Sequence, residues 1–214
     1  MISLNDYANL RSYAGSETAV MLENRYHHGV FTRDDADTTS QDNGVTLLVD
    51  AQNRRWKRII NDGDYSIDWW HLPGDELDYS LTITRACNFL QVKGEEWWQL
   101  PIPTTPAGIT LVGPGGVRPC KTTANLKLWK NAVDFKGTIL DFSGAANIEC
   151  VRVQYSLGAP AIYNLRIVGA PGAAANLRGL CVYSDASNMH GLPACQLLVQ
   201  NVWLTNLYKG IVFG

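Results

Sequence analysis

Residues 201–214 read NVWLTNLYKGIVFG and show the pattern that decides the fold. Two short apolar runs, at 202–204 and 211–213, are separated by six residues that include Asn206, Lys209 and Gly210. Short apolar runs with Gly and Asn between them are typical of β-strands joined by turns. The same pattern recurs from about residue 108 onward, so we predict all-β structure without a long helix in this part of the chain.

Two repeated motifs connect this stretch with the sequence upstream of it. A bulky apolar residue, a cation and a glycine precede a strand pattern three times, at 135–137, 177–179 and 208–210. The motif Asn-apolar-x-apolar occurs twice, beginning at Asn164 and at Asn201. Approximate repeats with insertions of variable length are typical of a β-solenoid, in which equivalent residues stack about 4.8 Å apart. Asn164 and Asn201 are then either stacked neighbours at a turn or two unrelated turn residues.

The first third of the chain has a mixed pattern. Ser3 is a suitable N-cap for a short helix that Gly15 would end. Strand patterns follow at 18–22, 29–33 and 45–50. We predict a small mixed α/β region here.

Three further segments have patterns that predict secondary structure. The basic stretch 54–60, RRWKRII, is interpreted as a solvated strand edge. Apolar spacings of three and four predict a helix over 76–92, with Asp75 and Glu76 near its positive end. The stretch 95–103, EEWWQLPIP, is predicted to be a strand.

These elements predict three parts: 1–63 as a small β-rich region, 64–94 as a strand and a capping helix, and 95–214 as the first coils of a truncated parallel β-solenoid. The predicted fold class is therefore mainly β.

Composition excludes several classes of function. The 214 residues are 46% hydrophobic and carry a formal net charge of −2, which argues against an electrostatic nucleic-acid binder. No apolar run reaches the ~18 residues that a membrane-spanning helix needs, and the N-terminus lacks a signal-peptide pattern. Five scattered cysteines are interpreted as small buried apolar residues. His27 and His28 have no partner at metal-ligand spacing, so we predict neither a metal nor a cofactor.

The order of the motifs resembles that of bacteriophage tailspike proteins. DYANLR at 6–11 is similar to the helix that opens the main body of such proteins, and the stretch 42–59 ends in a similar Trp-Lys-Arg segment. The stretch 67–90, IDWWHLPGDELDYSLTITRACNFL, is similar to the family's Trp-bearing strand and Gly-Asp helix. The sequence departs from the family at 74–78, where Gly-Asp-Glu-Leu-Asp replaces the longer usual Gly-Asp motif. The family's glycine-rich run before the first strands and its particle-anchoring domain are missing or reduced.

The resemblance implies a right-handed parallel β-helix of the pectate-lyase type, of which this chain would be the N-terminal portion. It implies a homotrimer in the virion tail, assembled in the host cytoplasm, that contacts phage tail or baseplate proteins and a host capsule or lipopolysaccharide glycan. The full-length protein would then be a polysaccharide depolymerase. A purely structural or adhesive tail module and a cellular pectate-lyase-like enzyme are the alternatives.

Carboxylates are the candidate catalytic groups, because glycoside hydrolysis uses a pair of them at a defined separation. The repeat region offers Asp134, Asp141, Glu149 and Asp185, of which the last three are the site candidates. They fall at different points relative to the repeated glycines and form no obvious ladder. We therefore expect this 214-residue chain to be inactive as a depolymerase, with the catalytic residues of the full-length protein elsewhere.

Tryptophans are the candidate interface groups, because aromatic side chains are enriched at subunit contacts and can also close the end of a β-helix. In the doublets 69–70 and 97–98, strand geometry would place one ring on each side. We predict interface roles for five of them: Trp69, Trp70, Trp97, Trp98 and Trp129.

Overall fold

The computed structural model describes residues 1–61, 63–93, 109–128, 131–155, 160–171, 176–184 and 197–214. The chain forms two compact units. The N-terminal unit comprises Met1–Asp62 and Asp68–Trp70, and the C-terminal unit comprises Gly63–Ile67 and His71–Gly214. The three-part division made from the sequence stays a prediction.

The N-terminal unit consists of one sheet and one short helix. Its elements are β1 (Ile2–Leu4), α1 (Tyr7–Arg11), β2 (Ala19–Leu22), β3 (Gly29–Asp34), β4 (Leu47–Val49) and β5 (Arg55–Arg58). The strand order is β1-β2-β3-β5-β4, in which β1 pairs parallel to β2 and all other pairs are antiparallel. The strands predicted at 18–22, 29–33 and 45–50 are thus confirmed, with shorter bounds for the third.

The start of α1 differs from the prediction. Ser3 lies in β1, and the helix begins after Asp6, whose carboxylate accepts a hydrogen bond from Asn9 N at 3.0 Å. An aspartate in this position satisfies a backbone N–H that the first helical turn leaves free. The helix buries two side chains in an apolar core that consists of Tyr7, Leu10, Val20, Leu22, Phe31, Leu48 and Trp56.

The interpretation of the basic stretch 54–60 as a solvated strand edge is wrong. β5 lies between β3 and β4, and the side chains of Arg55 and Arg58 are only 6% exposed. Arg58 donates to His28 O at 2.9 Å and to Tyr7 Oη at 2.8 Å, and its guanidinium lies over the Trp69 ring at 4.1 Å. Backbone carbonyls, a hydroxyl and aromatic faces replace the water that a buried guanidinium loses.

The C-terminal unit is built mainly of parallel strands. Its strands are β6 (Asp64–Ser66), β7 (Thr110–Val112), β8 (Val117–Pro119), β9 (Ala124–Leu128), β10 (Ala132–Asp134), β11 (Ile139–Asp141), β12 (Glu149–Tyr155), β13 (Ala161–Val168), β14 (Arg178–Ser184), β15 (Leu198–Thr205) and β16 (Lys209–Phe213). The helix α2 (Tyr79–Lys93) follows β6, after two 3₁₀ turns at Ile67–Trp70 and Asp75–Leu77.

These strands form two parallel sheets that the chain visits alternately. The seven-stranded sheet has the order β6-β7-β10-β13-β11-β8, with β15 paired to β13, and the four-stranded sheet has the order β16-β14-β12-β9. The long β13 pairs with β10 through its first half and with β11 through its second half. One strand thus lies beside two shorter strands that precede it in the sequence. The predicted mainly β class is confirmed, whereas closure of the sheets into a right-handed β-helix stays a prediction.

Inward-facing residues of successive strands stack into apolar columns. Parallel register aligns Ala124, Val151, Leu180 and Ile211 in the four-stranded sheet. The first three are fully buried, as are most of their counterparts two residues further along each strand. Alternation along each strand therefore separates a buried apolar face from an outward polar face.

The helix predicted at 76–92 is observed as α2. It packs against β9, the strand that ends the four-stranded sheet at this side, and Thr84 Oγ1 accepts a hydrogen bond from Asn125 N at 3.2 Å. Asp78, just before α2, accepts hydrogen bonds from Lys121 N at 2.9 Å and from Thr122 Oγ1 at 2.8 Å. α2 thus covers β9 where another parallel strand would otherwise pair. The strand predicted at 95–103 lies outside the described residues.

The cation-glycine repeat is correct for two of its three copies. Arg178 pairs with Lys209 at the start of β14 and β16, so the second and third copies are equivalent. The first copy is not, because Phe135, Lys136 and Gly137 form the turn between β10 and β11 in the other sheet. A cation followed by glycine suits a left-handed turn as well as a strand start, and Lys136 and Gly137 both have positive φ.

The two asparagines of the second motif stack as neighbours. Asn201 Nδ2 donates to Asn164 Oδ1 at 2.7 Å, and Asn164 Nδ2 donates to Asp134 Oδ1 at 2.9 Å. Both asparagines have a φ of 55°, in the left-handed region that Asn tolerates better than most residues. These three side chains, called the corner ladder below, join three successive strands of the seven-stranded sheet.

Candidate functional site

The candidate carboxylates are distributed over both sheets. Asp134 and Asp141 end β10 and β11 in the seven-stranded sheet, whereas Glu149 begins β12 in the four-stranded sheet. None of these three pairs across its sheet with another carboxylate, since their partners include Tyr163, Val168 and Arg178. Asp185 lies outside the described residues.

Asp134 and Asp141 perform structural roles in turns. Asp141 accepts a hydrogen bond from Ser143 N at 2.9 Å, which is an ordinary turn contact. Asp134 accepts hydrogen bonds from Asn164 Nδ2 and Lys136 N. Burial by itself would raise the pKa of Asp134, but these hydrogen bonds and the Lys136 ammonium together hold that pKa below its usual value.

Glu149 stands at the centre of a charged cluster on the outward side of the four-stranded sheet. Its carboxylate accepts a hydrogen bond from Tyr183 Oη. The guanidinium nitrogens of Arg178 and Arg152 lie 3.7 Å and 3.9 Å from its oxygens. The guanidinium of Arg152 also lies over the Tyr183 ring, 4.6 Å from the centroid. The hydrogen bond to Glu149 raises the pKa of Tyr183, so its hydroxyl stays protonated at neutral pH.

The parallel pairing of β12 with β14 brings this cluster together. Glu149 and Arg178 are direct partners of β12 and β14. Arg152 follows the buried Val151, and Tyr183 follows the buried Val182, so both leave the strand on its outward side. Glu149 and Arg178 are the first residues of their strands, and contacts of Glu149 with Arg152 and Tyr183 join the two pairs, since alternation alone would give Glu149 the parity of Val151. The sequence indicated Glu149 as a candidate but not its partners Arg152, Arg178 and Tyr183. Arg178 already belonged to the cation-glycine repeat, but that repeat aligned it with Lys136 upstream and not with its observed partner Glu149.

The cluster lies in an open polar groove of about 580 Å³. The groove is lined by Thr123, Asn125, Asn147, Ile148, Glu149, Arg152, Asn176 and Arg178. Asn147 and Asn176 both adopt left-handed backbone conformations, at φ of 56° and 49°, two residues before the paired Glu149 and Arg178. They repeat the same polar turn in consecutive strands along the groove.

The predicted interface tryptophans are only partly described. Trp69 and Trp70 lie in a 3₁₀ turn and not in a strand, so the expectation of one ring on each side of a strand is wrong. Trp70 is buried and Trp69 is half-buried, and their ring centroids are 6.3 Å apart. Trp97, Trp98 and Trp129 lie outside the described residues. Among the described tryptophans, Trp203 in β15 is exposed, and its Nε1 donates to Asn201 Oδ1 at 3.0 Å.

Other candidate chemistry is limited in the described ranges. Cys87, Cys120, Cys150 and Cys181 are free and buried there, as predicted, and burial raises the pKa of each thiol. No group of three or more His, Cys, Asp or Glu that could hold a metal occurs among the described residues. Within the same part of the chain, no helix is long and apolar enough to cross a membrane.

Comparison with known proteins identifies the N-terminal unit. Residues 3–62 match the family described as the phage tail protein small four-stranded β-sheet domain. The antiparallel strands β2, β3, β5 and β4 account for four strands, to which β1 adds a parallel fifth. Residues 3–62 are thus similar to a phage tail domain, and the resemblance to phage tail proteins is confirmed.

The whole chain is also similar to a solved structure, the crystal structure of the Acinetobacter baumannii phage AM24 tailspike protein. The two are 17% identical, the match covers 97% of this chain and 42% of that chain, and the TM-score is 0.40. This chain therefore spans less than half of the length of that tailspike. No curated protein sequence matches the chain significantly.

Proposed function

We propose that this chain is the N-terminal part of a phage tailspike, which attaches to tail or baseplate proteins through its N-terminal unit. The observation that carries the proposal is the phage tail domain over residues 3–62. Assembly in the host cytoplasm and incorporation into the virion tail follow from this role. The same observation disfavours a cellular pectate-lyase-like enzyme.

Attachment can be tested with the chain as it stands. Tails purified from a phage that lacks its spike are incubated with gold-labelled chain and viewed by electron microscopy. We expect label at the spike positions of the baseplate, displaced by excess unlabelled chain. Binding that is random along the tail, or that unlabelled chain cannot displace, would contradict the proposal.

The C-terminal unit is proposed to begin a right-handed parallel β-helix. The support is the alternation of one chain between two parallel sheets, with buried columns that continue from strand to strand. Such a rod suits a tailspike because it holds a binding surface at a distance from the tail. An experimental structure with left-handed winding between the sheets would contradict this proposal.

The chain is also proposed to be a homotrimer. Trp70 is buried within its own chain, so it is removed from the exposed interface groups that the sequence suggested. Exposed apolar side chains around the start of α2 are available in its place, namely Leu72, Leu77 and Leu81. Apolar side chains that are exposed close together are typical of surfaces that a second chain covers.

For the whole protein, we propose recognition of a host capsule or lipopolysaccharide glycan, with depolymerisation as the reaction. The groove around Glu149 supports glycan recognition, because its amides, guanidinium groups and carboxylate can bind sugar hydroxyls. A purely structural or adhesive tail module is the second candidate, and the unpaired placement of the described carboxylates favours it for this chain.

The present chain is predicted to have no depolymerase activity, because Asp134 and Asp141 are bound in turns and Glu149 faces two cations and, among the described residues, no second carboxylate. Incubation with host surface polysaccharide should release neither new reducing ends nor unsaturated sugars. Cleavage by this chain, lost on changing Glu149→Gln, would show that the role of Glu149 has been misjudged.

A further inference from the structure

We propose that the groove around Glu149 binds an acidic saccharide, whose carboxylate is held between Arg152 and Arg178. This inference rests on the proposed glycan recognition and names the class of glycan and the residues that select it. The ligand would be a polysaccharide that contains uronic-acid-type residues.

Arg152 and Arg178 have hydrogen-bonding capacity that the described residues leave unused. Each guanidinium carries five N–H donors in a planar arrangement that matches a carboxylate. Both approach Glu149 only at 3.7–3.9 Å, which is an ion-pair distance and too long for a hydrogen bond. Neither guanidinium donates a hydrogen bond to another described residue. Arg152 also contacts the face of the Tyr183 ring, 4.6 Å from its centroid. Their side chains are about half exposed, at 49% and 48%, so a ligand can reach them.

The charged side chains of the groove carry a net positive charge. Two guanidinium groups face one carboxylate, and that carboxylate already accepts a hydrogen bond from the Tyr183 hydroxyl. The groove therefore holds an excess positive charge in a chain whose formal net charge is negative. A local excess of positive charge in a groove favours an anionic ligand.

The polar lining of the groove favours a saccharide over other anions. The remaining lining consists largely of amides and a hydroxyl, from Asn125, Asn147, Asn176 and Thr123. Such groups both donate and accept, as sugar hydroxyls do. Asn147 and Asn176 repeat at the spacing of neighbouring parallel strands, about 4.8 Å, which is comparable with the advance per sugar in an extended polysaccharide. An extended, repetitive, hydroxyl-rich anion fits this lining better than a compact phosphate or a folded protein.

The probe for the test is a galacturonic acid oligomer, and its carboxyl-reduced form is the neutral control. Binding to the whole 214-residue chain is measured by titration calorimetry and by saturation-transfer NMR. We expect the acidic oligomer to bind and the reduced oligomer to bind at least 10-fold more weakly. Polyglutamate of equal charge and a single-stranded RNA oligomer should also bind at least 10-fold more weakly.

Variants assign the binding to the groove. Arg152→Gln and Arg178→Gln should each weaken binding of the acidic oligomer at least 5-fold, whereas Arg166→Gln removes an exposed cation from the other sheet and should leave it unchanged. Glu149→Gln removes the competing carboxylate and should tighten binding, which a variant that merely disturbs the fold would not do. Circular dichroism and unchanged thermal unfolding confirm that each variant is folded.

The outcomes also separate this inference from the proposed function. Equal binding of the acidic and reduced oligomers, absence of binding to the acidic oligomer, or binding that Arg152→Gln and Arg178→Gln leave intact would overturn the acidic-saccharide groove. Polyglutamate or RNA binding as tightly as the oligomer would also overturn it, since the groove would then recognise charge alone. Glycan recognition itself fails only if the full-length protein also does not bind polysaccharide from a susceptible host.

Discussion

Single buried polar residues hold the segments of this protein together. Asp78 is 8% exposed and connects the start of α2 with the segment that leads into β9. Its carboxylate also accepts a hydrogen bond from Ser80 Oγ. Burial would raise the pKa of Asp78, but the hydrogen bonds from Lys121 N, Ser80 and Thr122 lower it overall. One carboxylate thus replaces contacts that water would otherwise make with both segments.

The substitution Asp78→Ala is expected to lower the free energy of unfolding by about 2–4 kcal/mol, because it leaves the Lys121 amide without an acceptor and removes the acceptor that the Ser80 and Thr122 hydroxyls share. Asp78→Asn keeps the shape and one acceptor, so its loss should be about half as large. Urea unfolding followed by circular dichroism measures both. The control Asp35→Ala removes an exposed carboxylate and should change stability by less than about 0.5 kcal/mol.

The pH dependence of this residue follows from the lowered pKa. The stabilisation from Asp78 is fully present above its unfolded pKa of about 3.9 and is lost as pH falls through the lower folded pKa. Asp78→Asn should therefore flatten the decline of stability below about pH 4. If the free energy of unfolding falls equally below pH ~4 in the wild-type chain and in Asp78→Asn, the lowered pKa of Asp78 is contradicted.

At the scale of elements, parallel register decides which residues become neighbours. The corner ladder exists because β10, β13 and β15 pair in parallel, so that Asp134, Asn164 and Asn201 meet at successive strands. Register also aligns the side chains of β16 with those of β14 and β12. Val153, Val182 and Phe213 share one column, but only Phe213 is exposed, at 78%.

The corner ladder predicts different effects for two substitutions of Asn164. Asn164→Ala should lower the free energy of unfolding by about 2–3 kcal/mol, since alanine is strained at a φ of 55° and both amide hydrogen bonds are lost. Asn164→Gly loses the same hydrogen bonds without the strain, and should cost about 1 kcal/mol less than Asn164→Ala. Thermal and urea unfolding of the two variants give the comparison. Equal losses would mean that the left-handed conformation contributes nothing.

The shared column predicts that position matters more than residue size. Val182→Ala should lower the free energy of unfolding by about 1–3 kcal/mol, because it removes buried methyl groups and leaves a small cavity. Phe213→Ala removes a larger but exposed side chain, so it should change stability by less than about 0.5 kcal/mol. The comparison uses urea unfolding at one low chain concentration. A larger loss for Phe213→Ala than for Val182→Ala would show that Phe213 is covered in solution.

For the whole molecule, the proposed trimer depends on surfaces that a single chain leaves exposed. Leu72, Leu77 and Leu81 are 51%, 64% and 43% exposed around the start of α2, and they belong to the same compact unit. Leu77 ends the 3₁₀ turn before α2, and Leu81 lies in the first turn of α2, so both exposed side chains belong to the start of this helix.

Sedimentation across a concentration series should therefore show trimers that dissociate on dilution. Leu77→Glu would place a charge in the proposed contact and should weaken association at least 10-fold. Gln154→Glu adds the same charge on an exposed position of β12 and should leave association unchanged. A wild-type chain that stays monomeric at high micromolar concentration would remove the trimer, and equal effects of both variants would place its contact elsewhere.

The sequence by itself determined the features that depend on neighbouring residues. Alternating apolar runs predicted most strands, and spacings of three and four predicted α2 to within three residues at its start. The tolerance of asparagine for left-handed geometry predicted the backbone of Asn164 and Asn201, although both lie within strands and not in turns. Four cysteines without a paired motif were correctly expected to be buried. These preferences are local, because backbone sterics and side-chain periodicity operate over a few residues.

Only the tertiary structure decided which distant segments meet. It placed the first cation-glycine copy in a turn, since register and not composition assigns equivalence. It buried Arg55 and Arg58, because carbonyls and rings from other segments satisfy their donors. It also set Arg152, Arg178 and Tyr183 around Glu149, whose neighbours come from a strand 29–34 residues later as well as from its own. A pairing over such separations is fixed by the packing of the whole sheet, which no local pattern contains.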